Sequence, residues 1–155
     1  MHIAIAADHN GIEFKSDLTA WLQAEGHTVD DHGGHDASPV DYPPLCQAVA
    51  RRILDGTADR GIFIGGTGSG EHIAFNKMAG IRAGLGQDPL TTEISRAHND
   101  ANVLVLGAKV VSLERARDLV ALWLATPFKG GRHQRRLDQI AALERGETLP
   151  VSDTS

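Results

Sequence analysis

Short apolar runs alternate along this chain with longer stretches whose apolar residues recur at helical spacing. His2-Ile3-Ala4-Ile5-Ala6-Ala7, Thr28-Val29-Asp30, Ile62-Phe63-Ile64, Ile81 to Leu85 and Asn102-Val103-Leu104-Val105-Leu106 have the length and content of strands. The second run is weak and the last is the most apolar. Between them, Ile12, Leu18, Trp21 and Leu22 mark a first helix that Gly26 closes. A polar, turn-rich loop from His32 to Pro44 follows the second run. Cys46, Val49, Ala50 and Ile53 then form the stripe of a helix over Leu45 to Leu54. A third helix opens near Glu71, and Pro89 to His98 is a fourth with a proline start. Ala116, Leu119, Val120 and Trp123 give Leu113 to Leu124 an inner face, and Arg132 to Leu143 is the last helix.

Strands that read as continuous apolar runs between helices predict an α/β fold. The expected form is a doubly wound, Rossmann-like parallel sheet of five strands with helices on both faces. In such sheets ligands bind beyond the carboxyl ends of the strands. Asp8-His9 after the first strand, Gly65 to Glu71 after the third and Lys109 after the fifth should therefore share one edge. Residues 1–145 read as a single domain and 146–155 as a flexible polar tail.

Composition adds mainly exclusions. A chain of 155 residues can bury a real core. A net charge of −5, from 15 basic and 20 acidic side chains, argues against nucleic acid or an anionic membrane as partner. No apolar run approaches the roughly 20 residues of a membrane span. Met1 leads straight into a strand, and Cys46 is the only cysteine, so a cytoplasmic protein is expected.

The stretch with most chemistry is Gly61 to Lys77, GIFIGGTGSGEHIAFNK. A strand that feeds a glycine-rich turn and then a helix aims unpaired backbone N–H groups at one point, an anion cradle. It is neither of two common nucleotide motifs. The third glycine of G-x-G-x-x-G falls on Glu71 or Ile73, and no glycine precedes a Lys-Ser/Thr pair. Glu71 is a carboxylate where an anionic ligand would be welcomed, which suits a cradle that also moves protons. The plainer alternative is a tight turn without a ligand.

Other candidates carry alternatives of their own. Asp8 could cap the first helix instead of reacting, and His98 could simply face a helix C-terminus. Arg132 and Arg136 are four apart on one helix face behind Gly130-Gly131 and could clamp one phosphate, or could merely be solvated. His27, Asp30, Asp31, His32, His35 and Asp36 match no zinc or H-E-x-x-H spacing, so no metal site is expected there.

Several of these segments together resemble the ribose-5-phosphate isomerase B type of sugar-phosphate isomerases, which includes galactose-6-phosphate isomerase subunits. The likeness runs from Ile3 to about Ile140. It rests on Asp8-His9-Asn10-Gly11, Val40-Asp41-Tyr42-Pro43, Gly66-Thr67-Gly68-Ser69-Gly70 and Asn76-Lys77, then on Gly80-Ile81-Arg82-Ala83, His98-Asn99-Asp100-Ala101-Asn102 and Gly130-Gly131-Arg132-His133. The resemblance implies a metal-independent, cofactor-free enzyme, dimeric or tetrameric, with active sites between subunits. It implies that His98 helps open the sugar ring, with Asp8 and Thr67 near the sugar oxygens. His9, Arg132 and Arg136 would hold the phosphate, Tyr42 and Asn99 would line the sugar, and His133 would also meet substrate. The backbone of Gly66, Gly68, Ser69 and Gly70 would stabilise an enediolate oxygen.

Two departures bear on the chemistry. Many members of that family carry a cysteine base where this chain has Gly65, and a subset carries instead the glutamate found here as Glu71. Lys109 stands where arginine is usual, and its point charge lacks the planar fork. The expected reaction is aldose–ketose interconversion of ribose 5-phosphate and ribulose 5-phosphate through a cis-enediolate, with Glu71 as base. An isomerase of four- or six-carbon phosphosugars, or a non-catalytic phosphosugar-binding module, would use the same scaffold. Burial would raise the pKa of Glu71 and the helix N-terminus would lower it, with the winner left open.

Overall fold

Successive side chains of a strand point to opposite faces, and the first strand fills both. Ile3, Ile5 and Ala7 pack with Leu18, Leu22, Ala116, Val120 and Trp123 on one side. Ala4 and Ala6 pack with Cys46, Val49, Ala50 and Phe75 on the other. The computed structural model describes residues 1–151. Its strands are β1 (His2–Ala7), β2 (Thr28–Asp31), β3 (Arg60–Gly65), β4 (Ala83–Leu85) and β5 (Val103–Gly107). Its helices are α1 (Ile12–Ala24), α2 (Tyr42–Leu54), α3 (Ser69–Asn76), α4 (Pro89–Ala97), α5 (Leu113–Ala125) and α6 (Arg132–Glu144).

All strand pairs are parallel, in the order β2-β1-β3-β5-β4. The chain winds outward from β1 to β2, then returns to the far side of β1 for β3. That reversal opens a crevice at the carboxyl ends of β1 and β3, where loops diverge to opposite faces. Helices α1, α4 and α5 pack together on one side, and α2 with α3 on the other. The doubly wound, five-stranded arrangement expected from the apolar pattern is the one found. Among the described residues no helix is long and apolar enough to cross a membrane.

The elements differ from expectation mainly at their ends. Helix α2 begins at Tyr42, not Leu45, and takes Pro43 and Pro44 into its first turn. First-turn N–H groups have no intrahelical partner, so prolines cost nothing there. Strand β4 begins at Ala83, and Ile81 lies before it as a buried anchor. The side chain of Asn76 pairs with Ala83 instead, accepting from its N–H at 3.0 Å and donating to its carbonyl at 3.2 Å. Helix α6 meets the body through His133, which stacks on His98, and through Glu144, which accepts from the Gly80 N–H at 3.4 Å. Of the expected tail, residues 146–151 carry no helix or strand, and 152–155 lie outside the described residues.

Candidate active site

Parallel register brings the first group of candidates together. Ala7 pairs with Ile64 and Gly65 with Gly107, so Asp8, Gly66 and Ala108 leave the sheet side by side. Backbone bonds continue the ladder past the strand ends. The Asp8 N–H donates to Ile64 at 3.0 Å, Ala108 to Gly65 at 2.9 Å and Lys109 to Gly66 at 2.9 Å. The resulting cleft, of about 540 Å³, is lined by Asp8, His9, Tyr42, Thr67, Glu71 and Lys109, with Val40, Asp41, Gly66 and Gly70 completing its wall. The three strand exits converge as expected.

Glu71 sits in the first turn of α3 with only 4% of its surface exposed. Its carboxyl occupies the space beside Gly65: a β-carbon there would lie 2.2 Å from Oε1 and 2.4 Å from Cδ. Glycine at 65 and an inward glutamate at 71 are therefore one packing solution. Burial raises the Glu71 pKa above its ordinary value, its own backbone N–H partly offsets this, and the Asp8 charge adds to the rise. Gly68 precedes α3 at φ 81°, a left-handed conformation that glycine adopts without a β-carbon clash. The first-turn N–H groups of α3, which have no intrahelical carbonyl to bond, stand where Gly70 and Glu71 line the cleft, and that of Ser69 donates to Thr67 Oγ1 at 3.4 Å. Tyr42 closes over the turn, its hydroxyl 2.5 Å from where a β-carbon on Gly70 would be.

Asp8 is not a helix cap. The N-cap of α1 is Gly11, without a side-chain bond. Asp8 instead accepts from the Asn10 N–H at 2.7 Å and from Asn10 Nδ2 at 3.0 Å. Asn10 Nδ2 also lies 3.2 Å from His9 Nε2, so one amide ties both candidates in place. Asn10 stands within the Asp8-His9-Asn10-Gly11 segment, where the sequence alone assigns it no role. The signal available was the Asx turn, in which an Asp carboxylate accepts the N–H two residues on. Cys46 is buried in the core as expected. Burial, with the Glu71 charge second, pushes its thiol up to about 12, so it is no thiolate nucleophile.

The second group of candidates stands elsewhere. Helices return antiparallel to the strands, so His98, the C-cap of α4, lies at the edge where β5 begins. Its ring stacks on that of His133 with centroids 3.9 Å apart and planes 11° from parallel. His133 is buried, and burial first, then His98, Arg132, Arg136 and Lys129, lowers its pKa. Asn99, Arg132 and Arg136 are exposed beside this pair. Asp100, at φ 44°, shapes the turn by accepting from Arg82 Nη2 at 2.9 Å and from Arg96 Nη1 at 2.7 Å. The structure of one chain therefore holds the candidates in two clusters at opposite edges of the sheet.

A groove of about 560 Å³ runs beside the second cluster, walled by Arg82, Ala83, Asn99, Leu137, Ile140 and Leu143 among others. It contains neither Asp8 nor Glu71; the strand-exit cleft differs from it not in size but in holding a buried carboxyl. At the end of β2, both Asp31 oxygens accept from Lys15 Nζ at 2.7 Å, which commits that carboxylate to a buried amine.

The model of the ribose/galactose isomerase family matches residues 3–140. This chain belongs to that family. It is 43% identical to ribose-5-phosphate isomerase B of Escherichia coli over 143 residues, covering 92% of this chain and 96% of that one. The solved ribose-5-phosphate isomerase B of Clostridium thermocellum superposes with a TM-score of 0.93 at 43% identity, over 94% and 99% of the two chains. The enzyme of Mycoplasma genitalium, solved with bound ribulose 5-phosphate, superposes at 0.89 with 36% identity, over 93% and 96%. As a family member the chain is an aldose–ketose isomerase, and its parallel α/β sheet is the fold of these relatives.

Proposed function

We propose that this isomerase interconverts ribose 5-phosphate and ribulose 5-phosphate through a cis-enediolate, with Glu71 as the base. The observation that carries the proposal is the Glu71 carboxyl, buried beside Gly65 at the foot of the glycine turn. A general base works best when its pKa approaches the working pH, and burial moves Glu71 in that direction. Glu71 takes the proton from C2 and returns it to C1. The N–H groups of Gly66 to Gly70 meet the negative charge that grows on the enediolate oxygen, where preorganised donors contribute most. Asp8 and Thr67 contact the sugar oxygens, and His98 assists ring opening. The phosphate is held by His9, Arg132 and Arg136, with His133, Asn99, Tyr42 and Lys109 completing the substrate contacts. Fixing the phosphate orients C1 and C2 over the carboxyl.

The working site is shared by two copies of the chain. Asp8, His9, Thr67 and Glu71 come from one copy, and His98, Asn99, Arg132 and Arg136 from the other. Placement of the two clusters at opposite edges of one sheet supports this arrangement, because no side chain spans a sheet end to end. The groove flanked by exposed Ile140 and Leu143 supplies apolar surface beside the second cluster.

Turnover of four-, five- and six-carbon phosphosugars, with solvent deuterium incorporation at C1 or C2, tests the proposal. Fastest exchange and turnover on the five-carbon pair is the expected result. Preference for another chain length replaces the substrate, and absence of exchange on all of them removes the isomerase reading.

A further inference from the structure

Asn10 lies in no strand or helix and is half-buried between the two residues it touches. As a carboxylate, Asp8 only accepts hydrogen bonds, so the group of Asn10 that faces it at 3.0 Å must be the amide nitrogen. The backbone N–H of Asn10, donating to the other Asp8 oxygen at 2.7 Å, locks the same orientation. One amide hydrogen is thereby spent on Asp8. The second points toward His9 Nε2 at 3.2 Å, and that nitrogen must offer its lone pair. A neutral imidazole carries its one proton on the remaining nitrogen, Nδ1. Nδ1 of His9 is buried and has no hydrogen-bond partner among the described residues.

We propose that Asn10 is a positioning residue that sets His9 in its Nδ1–H tautomer, leaving that N–H as an uncommitted donor for a substrate oxygen. Direction runs one way along the three residues: Asp8 orients the amide, and the amide selects the tautomer. A buried donor without a partner is costly, so a ligand oxygen arriving there recovers a bond that the free protein forgoes. This inference deepens the proposed function, since it names how one phosphosugar contact is prepared. It does not depend on which base takes the proton from C2.

The test is ring nitrogen NMR of His9 in the full chain at about pH 8, where an ordinary histidine is neutral. Three proteins are compared: wild type, Asn10→Ala and Asn10→Asp. The Asp variant keeps shape but reverses polarity, because a carboxylate at 10 accepts from Nε2–H. The expected result is an Nδ1–H ring in the wild type and an Nε2–H ring in Asn10→Asp. KM for ribose 5-phosphate should rise about tenfold in both variants, the loss of one hydrogen bond to a charged ligand, with kcat within about threefold. The new carboxylate also faces Asp8, where Asn10 Nδ2 had donated at 3.0 Å, so a purely structural role predicts a changed KM with the Nδ1–H tautomer kept. An Nε2–H ring in the wild type overturns the inference, and so does an Asn10→Asp protein with an unchanged tautomer, whatever its KM. The tautomer is read without turnover, so a chain inactive on every phosphosugar counts against the proposed function and not against this assignment.

Discussion

Asp8, Glu71 and the Gly66–Gly70 turn are held by the sheet's own ladder, which continues beyond the strands through Asp8, Ala108 and Lys109. Asn99, Arg132 and Arg136 instead stand exposed on a turn and on a helix with few ties to the body. In the first cluster Asp8 and Glu71 are buried and crowded, with Asp8 held by two hydrogen bonds from Asn10; in the second, Asn99, Arg132 and Arg136 are solvated around the buried His133. Proton transfer needs the first kind of place, because a base must be desolvated and a cradle must not reorganise during reaction. Holding a phosphate needs the second, where long basic side chains meet a charged group. Under the proposed function the two kinds of chemistry would fall to two kinds of scaffold, at opposite edges of one sheet, with His9 meeting the phosphate from the first.

The most direct way to break this comparison is to disable the buried half. Glu71→Gln should lower kcat by about 10²- to 10⁴-fold, the usual worth of a positioned base, while KM for ribose 5-phosphate changes little. Steady-state kinetics at near wild-type turnover would reassign the base. A second expectation concerns the pairing of the halves. Glu71→Gln and Arg132→Ala proteins, each weak alone, should regain up to about a quarter of wild-type activity when unfolded and refolded together. Random pairing in a two-fold dimer leaves one intact site in each mixed pair. Activity no better than the sum of the two proteins would place both clusters' work within single chains.

Invading the packed half should have a smaller effect, on stability. Gly65→Cys places a β-carbon 2.2 Å from Glu71 Oε1, well inside van der Waals contact, so one side chain must move. The expected cost is about 1–3 kcal/mol in chemical denaturation, as for other overpacked sites. Removing the carboxyl as well, in Gly65→Cys with Glu71→Ala, should recover most of it. Equal stability of the single and double variants would show that the two positions do not compete for space.

The smallest effect expected is in pH dependence. The folded-state pKa of Glu71 is raised above the ordinary 4.5, so between those two values the native state binds more protons than the unfolded chain. This group therefore contributes stability at low pH that is lost as pH rises through the window. Glu71→Gln should gain stability relative to wild type across that interval, and unfolding curves collected from pH 4.5 upward test the sign. The acidic limb of wild-type kcat/KM should likewise lie above 4.5. A limb at or below that value would mean the helix N-terminus outweighs burial.

Sequence and tertiary structure answered different questions about this protein. Strand–helix alternation, the strand-exit positions of Asp8, Thr67 and Lys109 and the core location of Cys46 were all readable along the chain. Each depends on apolar period and on neighbours a few residues away, and the backbone converts those directly into geometry. Helix starts were harder where Pro43 and Pro44 read equally as loop or as first turn. The linking role of Asn10 needed atomic distances, since a motif does not say which way an amide points. Which candidates would share an edge of the sheet was decided by winding: His98 follows a returning helix, and Arg132 opens a helix outside the sheet's layers. The direction of the Glu71 pKa was decided by burial against segments distant in sequence. Desolvation depends on everything packed around a group, and only the folded chain specifies that.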